Sequence, residues 1–158
     1  MASTTGSFRN AASFGQRQEY IAVAELLRRK LDVYMTLVDD QQIDCIVRSV
    51  KRGKPRYIDV QIKARSLDCN PKNAARFAAM EIRDPRKNFY FMFYSERVDC
   101  YWIIPSEQLI REATKAKSGK NKGRYSIMLT NWSEKQKKAV PRPRFEKYRD
   151  NFRALGCE

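Results

Sequence analysis

The segment Asp59–Arg65, near the middle of the 158-residue chain, constrains the fold more than any other stretch. As a strand it places apolar side chains on one face and a carboxylate, an amide and an amine on the other, from Asp59, Gln61 and Lys63. Apolar strand candidates lie on both sides of it, where a buried polar row would cost free energy unless its groups had partners. The row is therefore either the solvated face of an antiparallel sheet or a functional site.

Composition limits the class of protein. A hydrophobic content of 42%, with 8 Tyr and 8 Phe, predicts a folded chain of one domain. The net charge of +14, from 32 basic and 18 acidic residues, favours a polyanionic partner. Nucleic acid is the leading candidate, because no predicted helix combines a wide apolar face with a purely basic one, as membrane-surface helices do.

The chain contains no histidine, and its four cysteines are scattered without a CxxC pair. Zinc fingers, zincins, HNH-type nucleases and histidine-based triads are therefore excluded. A metal would need oxygen ligands, which favours Mg²⁺ or Mn²⁺. We interpret the cysteines as reduced and structural.

The apolar runs are far shorter than the roughly 20 residues that span a bilayer, which predicts no membrane segment. Residues 1–14 are small and polar, without the basic start and apolar block of a secretory signal. We therefore expect a disordered tail over 1–14 and a cytoplasmic protein.

From Gly15 onward, helical periodicity aligns Glu19 with Ala22, Val23 and Leu26. Glu19 would then lie either at the edge of the apolar stripe, where the helix dipole favours an acid, or at a site. Strands are predicted over 33–38, 43–50 and from 57, and Asp44 stands at the start of the second.

The second half of the chain predicts a helix over 70–84, with Asn70 as N-cap and Pro71 at its first position. Strands over 87–94 and 98–105, a helix over 106–116, a basic loop over 117–124 and a strand over 125–131 follow. Residues 132–158 predict a basic helical extension on the same domain, with a stripe formed by Phe145, Tyr148, Phe152 and Leu155.

The predicted order of elements is a helix, three strands, a helix and a strand. Glu19, Asp44 and Gln61-x-Lys63 follow one another in that order along them. This arrangement resembles the PD-(D/E)XK (restriction-endonuclease-like) nuclease superfamily. The likeness covers about residues 15–110 and is nearest to its QxK branch, which includes Mrr-like enzymes, and to Holliday-junction resolvases. It implies an α/β fold with an αβββαβ core, a central mixed sheet flanked by helices, and a nuclease domain over 15–131. The family's proline before the aspartate is replaced by Ile43, and its second acid by Gln61.

The resemblance implies a metal-dependent endonuclease that hydrolyses DNA phosphodiester bonds. Asp44, Gln61, the backbone carbonyl of Ile62, and Glu19 would be the metal ligands, and Lys63 would orient the attacking water or offset charge in the transition state. Asp59 would either compensate for the neutral Gln61 or be solvated.

Basic loops are candidate DNA contacts. They contribute Lys51, Arg52 and Lys54 from one turn and Lys117, Lys120, Lys122 and Arg124 from another. Because relatives cut as dimers, the resemblance also implies a homodimer, with the C-terminal helix as either an interface or a packing element.

Two alternatives stay open at this stage. The chain could be a catalytically inactive nuclease-fold module that binds nucleic acid or a protein partner. It could also be a basic RNA-associated protein, although the RRM aromatic motif and a GXXG loop are absent from the sequence.

Overall fold

A computed structural model describes residues 4–38 and 41–157. In this part of the chain two helices, ten strands and three short 3₁₀ helices follow one another. They are α1 (Thr4–Arg28), β1 (Asp32–Met35), β2 (Cys45–Lys51), β3 (Lys54–Arg65), a 3₁₀ turn (Pro71–Asn73), β4 (Arg76–Met80), β5 (Phe89–Ser95), β6 (Cys100–Pro105), α2 (Ser106–Glu112), β7 (Thr114–Lys115), β8 (Tyr125–Met128), β9 (Thr130–Ser133), β10 (Lys138–Pro141) and 3₁₀ helices Pro143–Tyr148 and Phe152–Leu155.

The central sheet has the strand order β1-β2-β3-β5-β6. Strands β3 and β5 are parallel and the other neighbours are antiparallel, which confirms the predicted mixed sheet and the strands predicted around β1, β2, β5 and β6. The helix predicted from Gly15 is also confirmed. It begins earlier, at Thr4, inside the segment 1–14 for which the composition predicts disorder.

Each face of this sheet has its own apolar cluster. Helix α1 packs on one face, where Ala22 and Leu26 are buried with Val47 and Ile58. On the other face an aromatic cluster surrounds Trp102. No helix among the described residues has the length and apolar character needed to cross a bilayer.

The prediction of a helix over 70–84 is wrong. Asn70 does cap Pro71–Asn73, accepting a hydrogen bond from the Lys72 amide at 2.9 Å, but only one 3₁₀ turn forms. The chain then enters β4, which pairs with β8 in a small sheet ordered β4-β8-β7. Phe77 and Met80 both pack into the aromatic cluster although they are three residues apart, because a register shift lies between them. A bulged strand therefore imitates helical spacing.

The prediction of a single basic C-terminal helix is also wrong, although all four residues of its predicted stripe are buried. Asp150, at a φ of 48°, separates two 3₁₀ helices and bonds to Tyr101 of β6 through both its backbone amide and its carboxylate. Phe145 joins the aromatic cluster, whereas Phe152 joins the cluster beneath α1. The C-terminal segment therefore wraps the β6 edge of the sheet, and its aromatic residues are packing elements of their own chain.

We expect Gly156→Ala to lower the free energy of unfolding by about 1–3 kcal/mol. Gly156 has a φ of 95°, and an added Cβ would lie 2.4 Å from the Cβ of Ser49. Urea unfolding checks this, with Gly15→Ala as the control, because an added Cβ at Gly15 has no heavy atom within 4 Å. Equal stability of the two variants would contradict the close packing of the C-terminal segment on β2.

Candidate active site

Asp44 lies immediately before β2, beside the centre of β3. Its backbone amide donates to the Val60 carbonyl at 2.9 Å, and its carboxylate accepts a hydrogen bond from the Ile62 amide at 2.5 Å. Val60 and Ile62 are the two neighbours of Gln61, so these bonds fix Asp44 alongside Gln61. The strand pairing also places Asp44 next to Gln61, because Cys45 lies opposite Val60.

The side chain of Gln61 is 6% exposed, and its Oε1 accepts no hydrogen bond from the residues that the structure describes. A buried amide oxygen without a donor costs about 1–3 kcal/mol. Beside the carboxylate of Asp44, such an oxygen is suited to bind a cation. Gln61 is therefore the residue whose surroundings call most clearly for a ligand.

Lys63 lies between two clefts at the same end of the sheet. The first, of about 870 Å³, is lined by Lys63, Ile62 and Glu19, among others. The second, of about 400 Å³, is lined by Lys63, Gln42 and Arg124, among others. The structure thus brings Glu19 from α1 and Lys63 from β3 to one concave surface.

The two acids of the predicted site, Asp44 and Glu19, both affect the pKa of the Cys45 thiol. Burial, together with the negative charges of Asp44 and Glu19, raises the pKa of the Cys45 thiol to about 12. The thiol therefore stays protonated near neutral pH and is a poor nucleophile. Glu19 also accepts a hydrogen bond from Gln16 Nε2 at 3.2 Å.

Asp59 forms an ion pair. Its carboxylate lies 2.6 Å from the Arg86 guanidinium, which also stacks over the Phe89 ring at 4.7 Å from the centroid. This pairing replaces both sequence-based alternatives for Asp59, the solvated carboxylate and the substitute metal ligand.

The two basic loops have different positions. The turn with Lys51, Arg52 and Lys54 closes the β2–β3 hairpin, about 20 Å along the strands from Asp44. The loop with Lys117, Lys120 and Lys122 joins β7 to β8 and ends at Arg124, which lines the second cleft with Lys63. Only the second loop therefore adjoins the site.

Sequence reasoning missed residues that hold the clefts in place. Gln18 is buried and donates to Glu96 at 3.0 Å, which ties α1 to the β5–β6 turn. Gln42 bonds to the Glu81 carbonyl and the Arg83 amide, at 3.1 and 3.0 Å. Gln18 shares the i, i+4, i+8 spacing of Ala22 and Leu26, a signal that could have found it.

The described residues contain no group of three His, Cys, Asp or Glu side chains placed to hold a metal ion. A metal at this site would thus depend on amide and backbone oxygens in addition to carboxylates. Gln61 Oε1 and the Ile62 carbonyl are the oxygens that β3 could supply.

The fold is similar to the solved structure of a bacterial homing endonuclease, I-Ssp6803I, with a TM-score of 0.55. The superposition covers 91% of this chain and 90% of that chain, at 17% identity. The chain shares its fold with a bacterial homing endonuclease. Comparisons with protein-family models and with curated proteins find no match. The likeness thus shows a nuclease fold, and the chemistry must be argued from the site.

Proposed function

We propose that the chain is a metal-dependent endonuclease that hydrolyses phosphodiester bonds of DNA, of the PD-(D/E)XK type. The observation that carries the proposal is the buried oxygen of Gln61, which has no hydrogen-bond donor among the described residues and lies beside the carboxylate of Asp44. The net charge of +14 and the fold shared with a homing endonuclease support DNA as the substrate.

The oxygen set fits a hard divalent cation. Asp44, Gln61, the Ile62 carbonyl and Glu19 would hold Mg²⁺ or Mn²⁺, both of which prefer oxygen ligands. When bound, the ion would supply positive charge against the phosphate and acidify the attacking water. The Ile62 amide donates a hydrogen bond to Asp44 and so keeps this carboxylate oriented.

Lys63 would act on the reacting phosphate from the same face of β3 as Gln61. Its ammonium group, at the wall shared by the two clefts, would orient the attacking water or offset the charge that develops in the transition state. Glu19, in the first cleft, would accept a hydrogen bond from that water or hold a second ion.

A catalytically inactive nuclease-fold module that binds nucleic acid or a protein partner is the second candidate. The neutral Gln61 and the absence of a group of three metal-ligating side chains among the described residues favour it. Such a module would bind DNA in the presence or absence of metal and would leave it intact.

The deciding experiment incubates the purified chain with supercoiled plasmid, linear duplex and branched DNA in Mg²⁺, Mn²⁺ or EDTA. The endonuclease predicts nicked or linear products in either metal and none in EDTA. Salt-sensitive binding without cleavage in any metal would overturn the endonuclease and support the binding module.

Removing the three lysines of the β7–β8 loop is expected to weaken DNA binding about 10–100-fold at moderate salt. The salt dependence of log K should fall by up to about three, because each lysine that contacts a phosphate displaces about one counterion. Fluorescence anisotropy in EDTA measures both quantities. The variant replaces Lys117, Lys120 and Lys122 with alanine. All three lysines are exposed.

The β9–β10 hairpin offers a control with the same change in charge. It carries three exposed lysines, Lys135, Lys137 and Lys138. None of them lines a cleft that contains Lys63. Equal losses of affinity in the two triple variants would show that binding follows total charge and not the position of the β7–β8 loop.

A further inference from the structure

Arg65, near the end of β3, carries a buried hydrogen-bond donor without an acceptor. It follows Lys63 by two residues and lies on the same face of the strand. Its Nε is buried and donates to no acceptor in the part of the chain that the structure describes. A guanidinium keeps its charge at every physiological pH, and a charged donor left without an acceptor costs more free energy than a neutral one. Arg65 is therefore suited to bind an anion.

The distribution of charge indicates where that anion would bind. Arg65 lines both clefts that contain Lys63. The side chains around the first cleft carry three positive and three negative charges, whereas those around the second carry four positive charges and one negative charge. The four cations of the second cleft are Lys63, Arg65, Arg76 and Arg124, and its carboxylate is Glu81. Cations gathered around one small cleft repel one another, and an anion between them removes that repulsion.

Glu81 does not neutralise the second cleft. Its carboxylate lies 2.6 Å from the guanidinium of Arg83, which is outside the cleft, and 3.4 Å from that of Arg124. Arg65 and Arg76 form no ion pair with any carboxylate that the structure describes. The second cleft therefore keeps an excess of positive charge that its own side chains do not balance.

A DNA phosphate fits both the charge and the spacing of this cleft. Residues on the same face of a strand repeat every ~7 Å, which is close to the separation of successive phosphates along one DNA strand. Guanidinium groups bind phosphate through two parallel N–H···O bonds. If the reacting phosphate lies at Lys63, the next phosphate of the same strand can reach Arg65. Arg76 at the start of β4 and Arg124 just before β8 face the same cleft from the small sheet.

We infer that the second cleft is a phosphate-binding site, in which Arg65, Arg76 and Arg124 hold the DNA phosphate next to the one at Lys63. The inference rests on the proposed function for the position of the reacting phosphate. Arg65 is a positioning residue, because it holds the cleaved strand in register over Lys63 and takes no part in breaking the bond. The small sheet then helps to bind the substrate, since it brings Arg76 and Arg124 to the cleft.

The Nε–H signal of Arg65 tests the site without cleavage. ¹⁵N NMR of the full chain in EDTA follows this signal, assigned through the carbons of its own side chain, while a short DNA duplex is added. The signal should move and its exchange with water should slow, because the Nε–H gains a phosphate acceptor. An unchanged Arg65 signal would overturn the inference, whether or not the backbone amides report binding of DNA.

Arg65→Lys keeps the charge but loses the bidentate donor group. It is expected to weaken DNA binding in EDTA about 10-fold, measured by fluorescence anisotropy. Arg111→Lys is the matched control, because Arg111 is exposed on α2 and lines neither cleft that contains Lys63. Its affinity should stay within about twofold of wild type, as expected for a surface charge that is retained. Equal affinities of the two variants would contradict a specific phosphate contact at Arg65.

A duplex that the wild type cleaves locates the bound phosphate. An uncharged methylphosphonate replaces the phosphate on one side of the cut and then, in a second duplex, on the other. At one of these positions it should slow the wild type about 10–100-fold and slow Arg65→Lys much less, because the variant has already lost the contact. Equal slowing of both proteins at both positions would overturn the inference.

The proposed function and this inference can fail separately. Movement of the Arg65 signal without cleavage in any metal would retain the phosphate site and overturn the endonuclease. Cleavage by the wild type without movement of that signal would retain the endonuclease and overturn the phosphate site.

Discussion

Lys63→Ala is expected to lower the rate of DNA cleavage in Mg²⁺ at least ~100-fold, a loss of about 3 kcal/mol of transition-state stabilisation. Lys63 lines both clefts at the end of β3, next to the residue whose amide holds Asp44. Because one positive charge among 32 basic residues contributes little to binding, the DNA affinity in EDTA should change only slightly. Single-turnover cleavage and fluorescence anisotropy measure the two effects separately.

Lys72→Ala is the control for the loss of one lysine charge. Lys72 is exposed on the 3₁₀ turn after β3 and lines neither cleft that contains Lys63. Its variant should cleave DNA at the wild-type rate. If Lys63→Ala also cleaves at that rate, Lys63 is not at the reacting phosphate and the proposed site is in the wrong place.

Asp44→Asn is expected to lower metal-dependent cleavage about 1,000-fold, because the site loses its principal charged ligand. The fold should be retained. The amide oxygen of asparagine can still accept the hydrogen bond from the Ile62 amide, so the free energy of unfolding should change by about 1 kcal/mol or less. Cleavage assays over a range of Mn²⁺ concentrations, together with urea unfolding, separate loss of the ligand from loss of structure.

Asp59→Asn provides a closely matched comparison for Asp44→Asn. Asp59 lies on β3, two residues from Gln61, but its carboxylate pairs with Arg86. Its replacement should leave the cleavage rate within a few-fold of wild type. A loss as large as that of Asp44→Asn would mean that Asp59 is a ligand and that the Arg86 ion pair opens during the reaction.

Strands were predictable from sequence where the chain has regular alternation or long apolar runs, as in β3, β5 and β6. The connection between β3 and β5 was not. Asn70 and Pro71 are genuine helix-start signals, but the small sheet supplies a backbone partner for β4 from β8, some 50 residues later. A local pattern cannot report a hydrogen-bond partner that is distant in sequence, so tertiary pairing decided between helix and strand.

The site shows the same division between local and long-range information. The order of Glu19, Asp44, Gln61 and Lys63 could be read from the sequence, and the structure places Asp44 beside Gln61 and places Glu19 and Lys63 in one cleft. The pairing of Asp59 with Arg86 could not be read, because it joins residues from different elements. By contrast, the separation of about 20 Å between Asp44 and the turn at Lys51 follows from the strand predicted over 43–50, since a strand rises by about 3.3 Å per residue.

The C-terminal segment has a consequence for synthesis of the protein. Phe145 completes the aromatic cluster on one face of the sheet, and Phe152 and Leu155 complete the cluster on the other. A nascent chain that has delivered only the first 140 residues from the ribosome therefore lacks part of both cores, together with the cover over β6. Its exposed aromatic strands are the kind of surface that chaperones bind, so the native state forms only after residues 145–155 have left the ribosome.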